Sequence, residues 1–285
     1  MSRAFALAVL AVGLLSAMDA AIKGLATAFS TPQIALLRFV FGSLAILVVT
    51  AIVRPPRPRF ETILANSWRA GLGVVTSLTF YFALGRLPLA ETLALALLSP
   101  CCTVLFGALL LRERVGRPIV VALLIGLLGM LTIVAPKLGG ADASVAALEG
   151  AVAVLVSTLT YSLSLVLLRS RATRDHPTII VAVQNIGSVL ILGSLAPFAP
   201  AGLWQPLGLP DLVNFAGVGL LGIGGHLVIA KAYSLAPAAR MAPADYTALV
   251  YASVFGYVFF AETPAWTTVV GALLIMASSL AATRR

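Results

Sequence analysis

Apolar residues occur along this chain in runs of about 20, the length of a helix that crosses a bilayer, and the runs are separated by short segments rich in proline, glycine and arginine. The pattern predicts ten spans, over residues 4–27, 32–53, 68–86, 90–111, 117–136, 147–168, 177–198, 211–233, 238–260 and 265–282. The strict alternation typical of a membrane β-barrel is absent from these runs. We therefore expect an all-α polytopic membrane protein, because helices satisfy their own backbone hydrogen bonds in lipid.

The second half of the sequence repeats the plan of the first half. An offset of 149 residues pairs Pro88 with Pro237, Leu72-Gly73 with Leu221-Gly222, Phe106-Gly107 with Phe255-Gly256, and Glu113 with Glu262. Each copy would hold five helices, and an odd number inverts the second copy relative to the first. Inverted repeats are a device of secondary transporters. The expected units are two inverted five-helix repeats, residues 1–140 and 141–285.

Lysine and arginine are concentrated in the loops on one side of the predicted bundle. With the N-terminus in the cytoplasm, the cytoplasmic side holds fourteen of them, Arg69 included, and the opposite side holds two, Arg86 and Lys137. The positive-inside rule then predicts that both termini lie in the cytoplasm. The net charge of +9 is spread over these loops and forms no single stripe, so we expect no nucleic-acid partner.

Composition excludes several other function classes. The chain is 60% hydrophobic and 10% charged, far from the composition of a soluble domain. It has no GxxxxGKS/T loop, so ATP cannot drive transport within this chain. No metal-ligand cluster, nucleophile motif or paired catalytic carboxylates is visible, and we expect neither an enzyme nor a cofactor or metal. The adjacent Cys101 and Cys102 give no disulfide framework.

Two motifs carry a family resemblance over essentially the whole chain. They are LLRFVFGSL in the second span and LPLAETLALALLSPCCTVLFGALLLRER around the fourth. With the five-plus-five arrangement, they resemble the EamA-type drug/metabolite transporter superfamily, and within it the YddG-like amino-acid exporters. The resemblance implies a secondary transporter of the bacterial inner membrane that exports small metabolites, aromatic or other neutral amino acids first among them, by alternating access. A drug, lipid or nucleotide-sugar carrier and a passive channel are the alternatives. The sequence does not decide whether transport is coupled to protons, or whether the protein is a monomer or a homodimer.

Charged residues inside predicted spans are candidates for gating or coupling, because an unpaired charge is costly in the bilayer. Asp19 and Lys23 lie one helical turn apart on the first helix, and Arg38 lies at similar depth on the second. The alternative is an internal ion pair that locks these two helices. Asp245, near the start of the ninth helix, is a fourth candidate, with helix capping as its alternative.

Polar and aromatic side chains supply a candidate substrate site near mid-membrane. Ser77, Phe80 and Tyr81 share one face of the third helix. The other candidates are Ser99, Tyr161, His226, Lys231, Tyr246 and Tyr251. The alternatives are a hydrogen-bonded structural histidine at His226 and a lysine at Lys231 that extends to the cytoplasmic interface. We expect the site between the two repeats, built mainly from helices 1, 3, 4, 6, 8 and 9.

Glu113 and Glu262 occupy matching positions in the two copies. Each follows a helix end and precedes a new helix that begins at or beside a proline. A carboxylate there can accept hydrogen bonds from the free amides of the next helix. We therefore predict that both stabilise turns and do not contact substrate.

Overall fold

A computed structural model describes residues 3–111, 117–139, 144–171, 175–200, 202–235 and 244–283. The helices are α1 (Arg3–Leu25), α2 (Thr31–Val53), α3 (Phe60–Leu84), α4 (Leu89–Ala96), α5 (Ser99–Leu111), α6 (Arg117–Gly139), α7 (Val145–Arg171), α8 (Pro177–Leu195), α9 (Leu209–Leu235), α10 (Thr247–Phe260) and α11 (Trp266–Thr283). One 3₁₀ turn covers Ala196–Phe198. Within the described ranges the prediction of an all-helical chain is confirmed, and none of these residues forms a strand.

Among the residues that the structure describes, six helical segments are long and apolar enough to cross a membrane. They are Arg3–Leu25, Thr31–Val53, Leu89–Gly107, Val145–Leu168, Pro177–Phe198 and Leu209–Ala232. Shorter apolar helices cover Leu124–Pro136, Thr247–Phe260 and Trp266–Ser278. The chain therefore has the helices of a multi-pass membrane protein.

Two helices differ from their predicted spans. Helix α3 begins at Phe60, eight residues before the predicted edge at residue 68. The fourth span is broken between α4 and α5, where the Leu98 amide turns back to the Leu95 carbonyl at 3.1 Å. Pro100 causes this break, because it has no N–H to give to the carbonyl of Ala96.

Neighbouring helices form a closed ring. Helix α1 packs on α9, α9 on α2 and α8, α8 on α3, and α3 on α7. Helix α7 packs on α4 and α5, α4 on α10, and α10 returns to α1. Helices α6 and α11 pair with each other beside this ring, where α11 also contacts α4 and α5. A closed ring has an interior, and that is where a central site would lie.

Small residues let α6 and α11 approach closely. A Cβ placed on Gly129 would lie 2.7 Å from the carbonyl oxygen of Gly271, and one on Gly126 would lie 2.8 Å from the hydroxyl of Ser278. Both distances are below a normal carbon contact, so a larger side chain must push the helices apart. Such close backbone contact is how helices without a hydrophobic driving force associate in lipid.

We expect Gly129→Val to destabilise the protein by about 1–3 kcal/mol, the usual cost of overpacking a tight contact. The measurement is the midpoint of thermal unfolding in detergent. Gly193→Val is the matched control, because a Cβ at Gly193 meets no atom within 4 Å. Equal shifts in the two variants would contradict the proposed close crossing.

Candidate functional site

Charged and polar side chains from most of the ring converge at its centre. The charge of Arg38 on α2 acts on Asp19 of α1, on Tyr81 of α3 and on His226 of α9. Tyr161 on α7 is in turn within electrostatic reach of groups from three other parts of the chain: Asp245, Arg69 and Asp19. We call this set the central cluster: Asp19, Arg38, Arg69, Tyr81, Tyr161, His226 and Asp245.

Arg38 lies against helix α9 at a glycine. A Cβ on Gly222 would come within 3.2 Å of the Arg38 Nη2 atom, so a larger residue there would have to displace the guanidinium. The Arg38 Cζ atom is 4.4 Å from the centroid of the Phe39 ring. The side chain is 6% exposed, and it forms no hydrogen bond or ion pair among the described residues. Its charge is therefore held next to an aromatic face and lacks a direct counter-charge.

His226 is oriented by the same stretch of α9. Its Nδ1 atom lies 2.6 Å from the carbonyl oxygen of Gly222, one turn away. A carbonyl only accepts, so Nδ1 carries the proton and Nε2 of the neutral ring is an acceptor. Both Arg38 and Arg69 act electrostatically on this ring. The predicted hydrogen-bonded histidine is thus also a neighbour of two cations.

Arg69 belongs to the cluster, although the sequence pattern places it at the cytoplasmic edge of the predicted span 68–86. It is 5% exposed. Its guanidinium donates to Asn66 Oδ1 at 2.8 Å, to Gln184 Oε1 at 3.0 Å and to the Ser164 carbonyl at 3.3 Å. These bonds join α3, α8 and α7 through neutral acceptors. A signal was present in the sequence: the buried residues of early α3, which are Thr62, Asn66, Arg69, Ala70 and Gly73, recur at helical spacing.

Tyr161 shows that the ring encloses open space. The residues of α7 with large exposed surface include Val152, Val156 and Leu159, which share one face of the helix. Tyr161 is nine residues from Val152, or two and a half turns, and so lies on the opposite, inward face. It is nevertheless 43% exposed. Solvent-sized space therefore reaches the interior face of α7.

The cluster has an aromatic side on α3. Tyr81 is buried, and Ser77 lies one helical turn before it on the same face of α3. The Phe80 and Tyr81 rings meet edge to face, with centroids 6.5 Å apart. The structure thus brings the three predicted residues of this helix to one place beside the charges.

Other predicted residues occupy different surroundings. Tyr251 packs on α1, where a Cβ on Gly13 would lie 3.1 Å from its hydroxyl, and Tyr246 packs among apolar residues of α4 and α7. The Ser99 carbonyl, next to the break between α4 and α5, accepts a hydrogen bond from the Ser162 hydroxyl at 3.0 Å. Lys231 is exposed, five residues beyond His226.

Lys23 and Glu262 form a junction of four chain segments. Lys23 Nζ is 2.9 Å from Glu262 Oε1 and donates to the carbonyls of Leu87 at 2.6 Å and Leu84 at 3.2 Å. Glu262 Oε2 accepts from the amide of Leu89, the first residue of α4, at 2.8 Å. The ends of α1, α3, α4 and α10 are thereby tied together. We name this set of contacts the Lys23–Glu262 junction.

These contacts differ from two sequence expectations. The alternative of an internal ion pair that locks α1 and α2 is not met, since Asp19 and Arg38 form no pair within 4 Å and Lys23 binds Glu262. Glu262 contacts α1 and α4 and not the amides of the helix that follows it. The reason is local: Ala261 adopts a left-handed conformation, with φ of 53°, and turns the chain back from α10. Glu113, its counterpart, lies outside the described residues.

Comparison with known proteins identifies relatives over most of the chain. The model of the EamA-like transporter family matches residues 2–135 and 148–284. The pseudopaline exporter CntI of Pseudomonas aeruginosa is 28% identical over 98% of this chain and 95% of its own length. Human solute carrier family 35 member G1 is 28% identical over 89% of this chain and 71% of its own.

Two further matches extend the comparison. The riboflavin transporter of Rhizobium johnstonii is 29% identical over 75% of this chain and 64% of its own length. A solved crystal structure covers 99% of this chain and 96% of its own with a TM-score of 0.65, at 20% identity, which shows a shared fold alone. On the family match over both halves, the chain belongs to the EamA-like transporter family of the drug/metabolite transporter superfamily.

Proposed function

We propose that the protein exports small metabolites, with amino acids as the leading class, across the bacterial inner membrane by alternating access. The exposed surface of Tyr161 on the inward face of α7 carries this proposal. A polar solute that crosses lipid needs a hydrated interior lined by polar groups, and intramembrane charges mark such paths. The outward direction has support from one relative, which is named as an exporter of pseudopaline.

Contacts between α6 and α11 support the inverted repeat. Gly126 lies close to Ser278, and Gly129 lies close to Ile275. An offset of 149 residues carries Gly126 to Ile275 and Gly129 to Ser278, so the two contacts exchange when the halves exchange. This is the relation expected of repeats 1–140 and 141–285 about a two-fold axis.

The packing order of the helices supports the same repeat. Exchange of the halves turns the α1–α9 contact into the α7–α3 contact, and both are present. It likewise turns the α2–α9 contact into the α8–α3 contact, and both are present. Five crossings in each half give ten in all. With Arg69 inside α3, thirteen lysine and arginine residues stand on the proposed cytoplasmic side against two outside, which still supports cytoplasmic termini.

In this orientation the structure is closed on its outer side. The Lys23–Glu262 junction lies there. So do the Gln33–Gln205 bonds of 2.8 and 2.9 Å and the half-exposed Arg86–Glu149 pair at 3.3 Å. Each joins segments of different repeats. On the cytoplasmic side the repeats are joined by the Thr62 hydroxyl, which donates to Asp175 Oδ1 at 2.7 Å. Because Tyr161 lies in the cytoplasmic half of α7, we propose that its cavity opens toward the cytoplasm, the state that loads a substrate for export.

Counterflow tests the proposal. Purified protein is reconstituted into liposomes loaded with an unlabelled amino-acid mixture, and uptake of labelled amino acids is followed without ATP, with and without a pH gradient. We expect saturable uptake that the internal substrate accelerates. Flux that rises linearly with concentration and ignores the internal substrate would indicate a channel, and no uptake of any amino acid would overturn the proposal.

The fit of Arg38 against Gly222 gives a second test. We expect Gly222→Val to lower the counterflow rate at least about tenfold, because a Cβ there already meets Met18 Sδ at 3.0 Å and Arg38 Nη2 at 3.2 Å. Gly224→Val is the matched control on the same helix, where the Cβ meets Leu14 at 3.9 Å. Similar rates in the two variants would show that the position of Arg38 is not critical.

A further inference from the structure

Four ionisable side chains of the central cluster form no direct acid–base pair with one another. They are Asp19, Arg38, Arg69 and Asp245. In the described part of the chain, the acid–base pairs within 4 Å are Lys23–Glu262 and Arg86–Glu149, and neither includes a member of this group. Three of these charges nevertheless share a neighbour, because Asp245, Arg69 and Asp19 all interact electrostatically with Tyr161. Opposite charges thus lie in the same cluster, but no acid–base pair among them is within 4 Å.

Several of these groups also border space that solvent enters. Asp19, Arg38 and Asp245 make no side-chain hydrogen bond to another described residue. None of their polar atoms is among the described atoms that are both sealed from solvent and unbonded. Their unbonded oxygen and nitrogen atoms therefore border water-sized space.

Arg69 is held in place but not neutralised. Asn66, Gln184 and the Ser164 carbonyl accept three of its N–H bonds, and all three acceptors are uncharged. A guanidinium has five N–H donors, so two remain for a ligand. Neutral acceptors fix the orientation of the fork and leave its charge available, which suits a bidentate carboxylate.

Unpaired charges at this depth are expensive unless a ligand or water compensates them. A neutral apolar cargo would leave all four uncompensated whenever it displaced water. A purely cationic or purely anionic cargo would satisfy one sign and oppose the other. A zwitterion satisfies both signs.

We propose that the cargo is a zwitterionic metabolite with two carboxylates and at least one ammonium group; this inference rests on the proposed function. Arg38 and Arg69 each bind one carboxylate, and Asp19 and Asp245 bind the ammonium side. His226 is within electrostatic reach of both arginines, and its Nε2 accepts a hydrogen bond from the cargo.

The test uses four probes of one carbon-chain length. Proteoliposomes loaded with unlabelled L-glutamate take up labelled L-glutamate in competition with L-glutamine, glutarate or 1,5-diaminopentane. L-Glutamine lacks one carboxylate, glutarate lacks the amine, and the diamine lacks both carboxylates. We expect trans-stimulated L-glutamate uptake, with L-glutamine and glutarate at least about tenfold weaker as competitors and the diamine inactive, since a site with buried polar groups rejects analogues that leave them unpaired.

Arg69→Gln then assigns one carboxylate. We expect it to raise the half-saturation concentration for L-glutamate at least about tenfold and to leave that for L-glutamine unchanged, because only L-glutamate has the second carboxylate. A merely structural role would change both alike, which would overturn the assignment. Arg86→Gln, at the outer pair with Glu149, is the control and should change neither. If Arg69→Gln is not monodisperse, Arg38→Gln makes the same test.

The outcomes separate the two proposals. Uptake of labelled L-tryptophan without uptake of L-glutamate would overturn the zwitterion inference and leave the transporter proposal standing. Equal competition by all four probes would also overturn the inference. No counterflow of L-glutamate, L-tryptophan or any other amino acid would overturn the proposed function itself.

Discussion

Glu262→Ala should open the outer side of the protein. Without this carboxylate the Lys23 ammonium keeps only the carbonyls of Leu84 and Leu87, and the amide of Leu89 at the start of α4 loses its acceptor. A part-buried cation without a counter-charge is strongly unfavourable, so the closed state loses stability relative to the open state. A loss of about 1.4 kcal/mol already changes the ratio of the two states tenfold.

The measurement is the labelling rate of a cysteine at position 26 by a membrane-impermeant maleimide added outside. Ala26 is half-buried, and its Cβ lies 3.5 Å from the site of a Cβ on Gly85. The background replaces Cys101 and Cys102 with alanine. We expect Glu262→Ala to raise the rate at least about tenfold.

Glu149→Ala provides the comparison on the same side. Its pair with Arg86 is half-exposed, and such pairs contribute about 0–1 kcal/mol. We expect less than about a threefold change in labelling from this variant. If both variants had the same effect, the Lys23–Glu262 junction would not be the contact that closes the outer side.

Asp19→Asn should reduce counterflow at least about tenfold, because Arg38 then loses an opposite charge that acts on it inside the ring. At a protein-like dielectric, two charges more than 4 Å apart attract by at most about 4 kcal/mol, so a tenfold effect needs only part of that energy. The measurement is the initial rate of labelled amino-acid uptake in matched proteoliposomes.

A double-variant cycle identifies the coupling. The double variant Asp19→Asn with Arg38→Gln should have a counterflow rate no lower than that of the less active single variant. The reason is that each single change already removes the interaction. Asp211→Asn is the matched control, because this carboxylate accepts from the amide of Gly208 near the start of α9, away from the cluster. Simple multiplication of the two single effects would show that Asp19 and Arg38 act independently.

Much of the central cluster was accessible from sequence. A charge in an apolar run is costly, and that principle alone selects Asp19, Arg38 and Asp245. Tyr81, Tyr161 and His226 follow from the same search for polar groups inside spans. Their convergence then depends on the ring order of the helices, which the repeat anticipates.

The hydropathy pattern does not predict that Arg69 is buried. The first two turns of α3 carry Glu61, Asn66 and Ser67, so an apolar window begins only at residue 68 and leaves Arg69 at its edge. Burial of this segment depends on partners in α7 and α8, such as Gln184, that are far away in sequence. The remaining sequence signal for the burial of Arg69 was the helical spacing of the buried positions in early α3.

The Lys23–Glu262 junction was hidden for a different reason. Its two charged residues, Lys23 and Glu262, belong to different repeats and lie far apart in the sequence. The left-handed residue that redirects Glu262 is Ala261, and because it is not a glycine the sequence does not indicate this turn. Local sequence patterns therefore do not predict the long-range contacts that depend on this turn.

The central claim is that the cavity beside Tyr161 opens to one side of the membrane at a time. Tyr161→Cys, in the background with Cys101 and Cys102 replaced by alanine, tests it in membranes of known orientation, with Leu159→Cys on the opposite face of α7 as the lipid-facing control. We expect an impermeant maleimide to label position 161 from the cytoplasmic side only, and from the outer side once Glu262→Ala is added. Fast labelling of position 161 from both sides in the otherwise native protein, or from neither, would contradict the account.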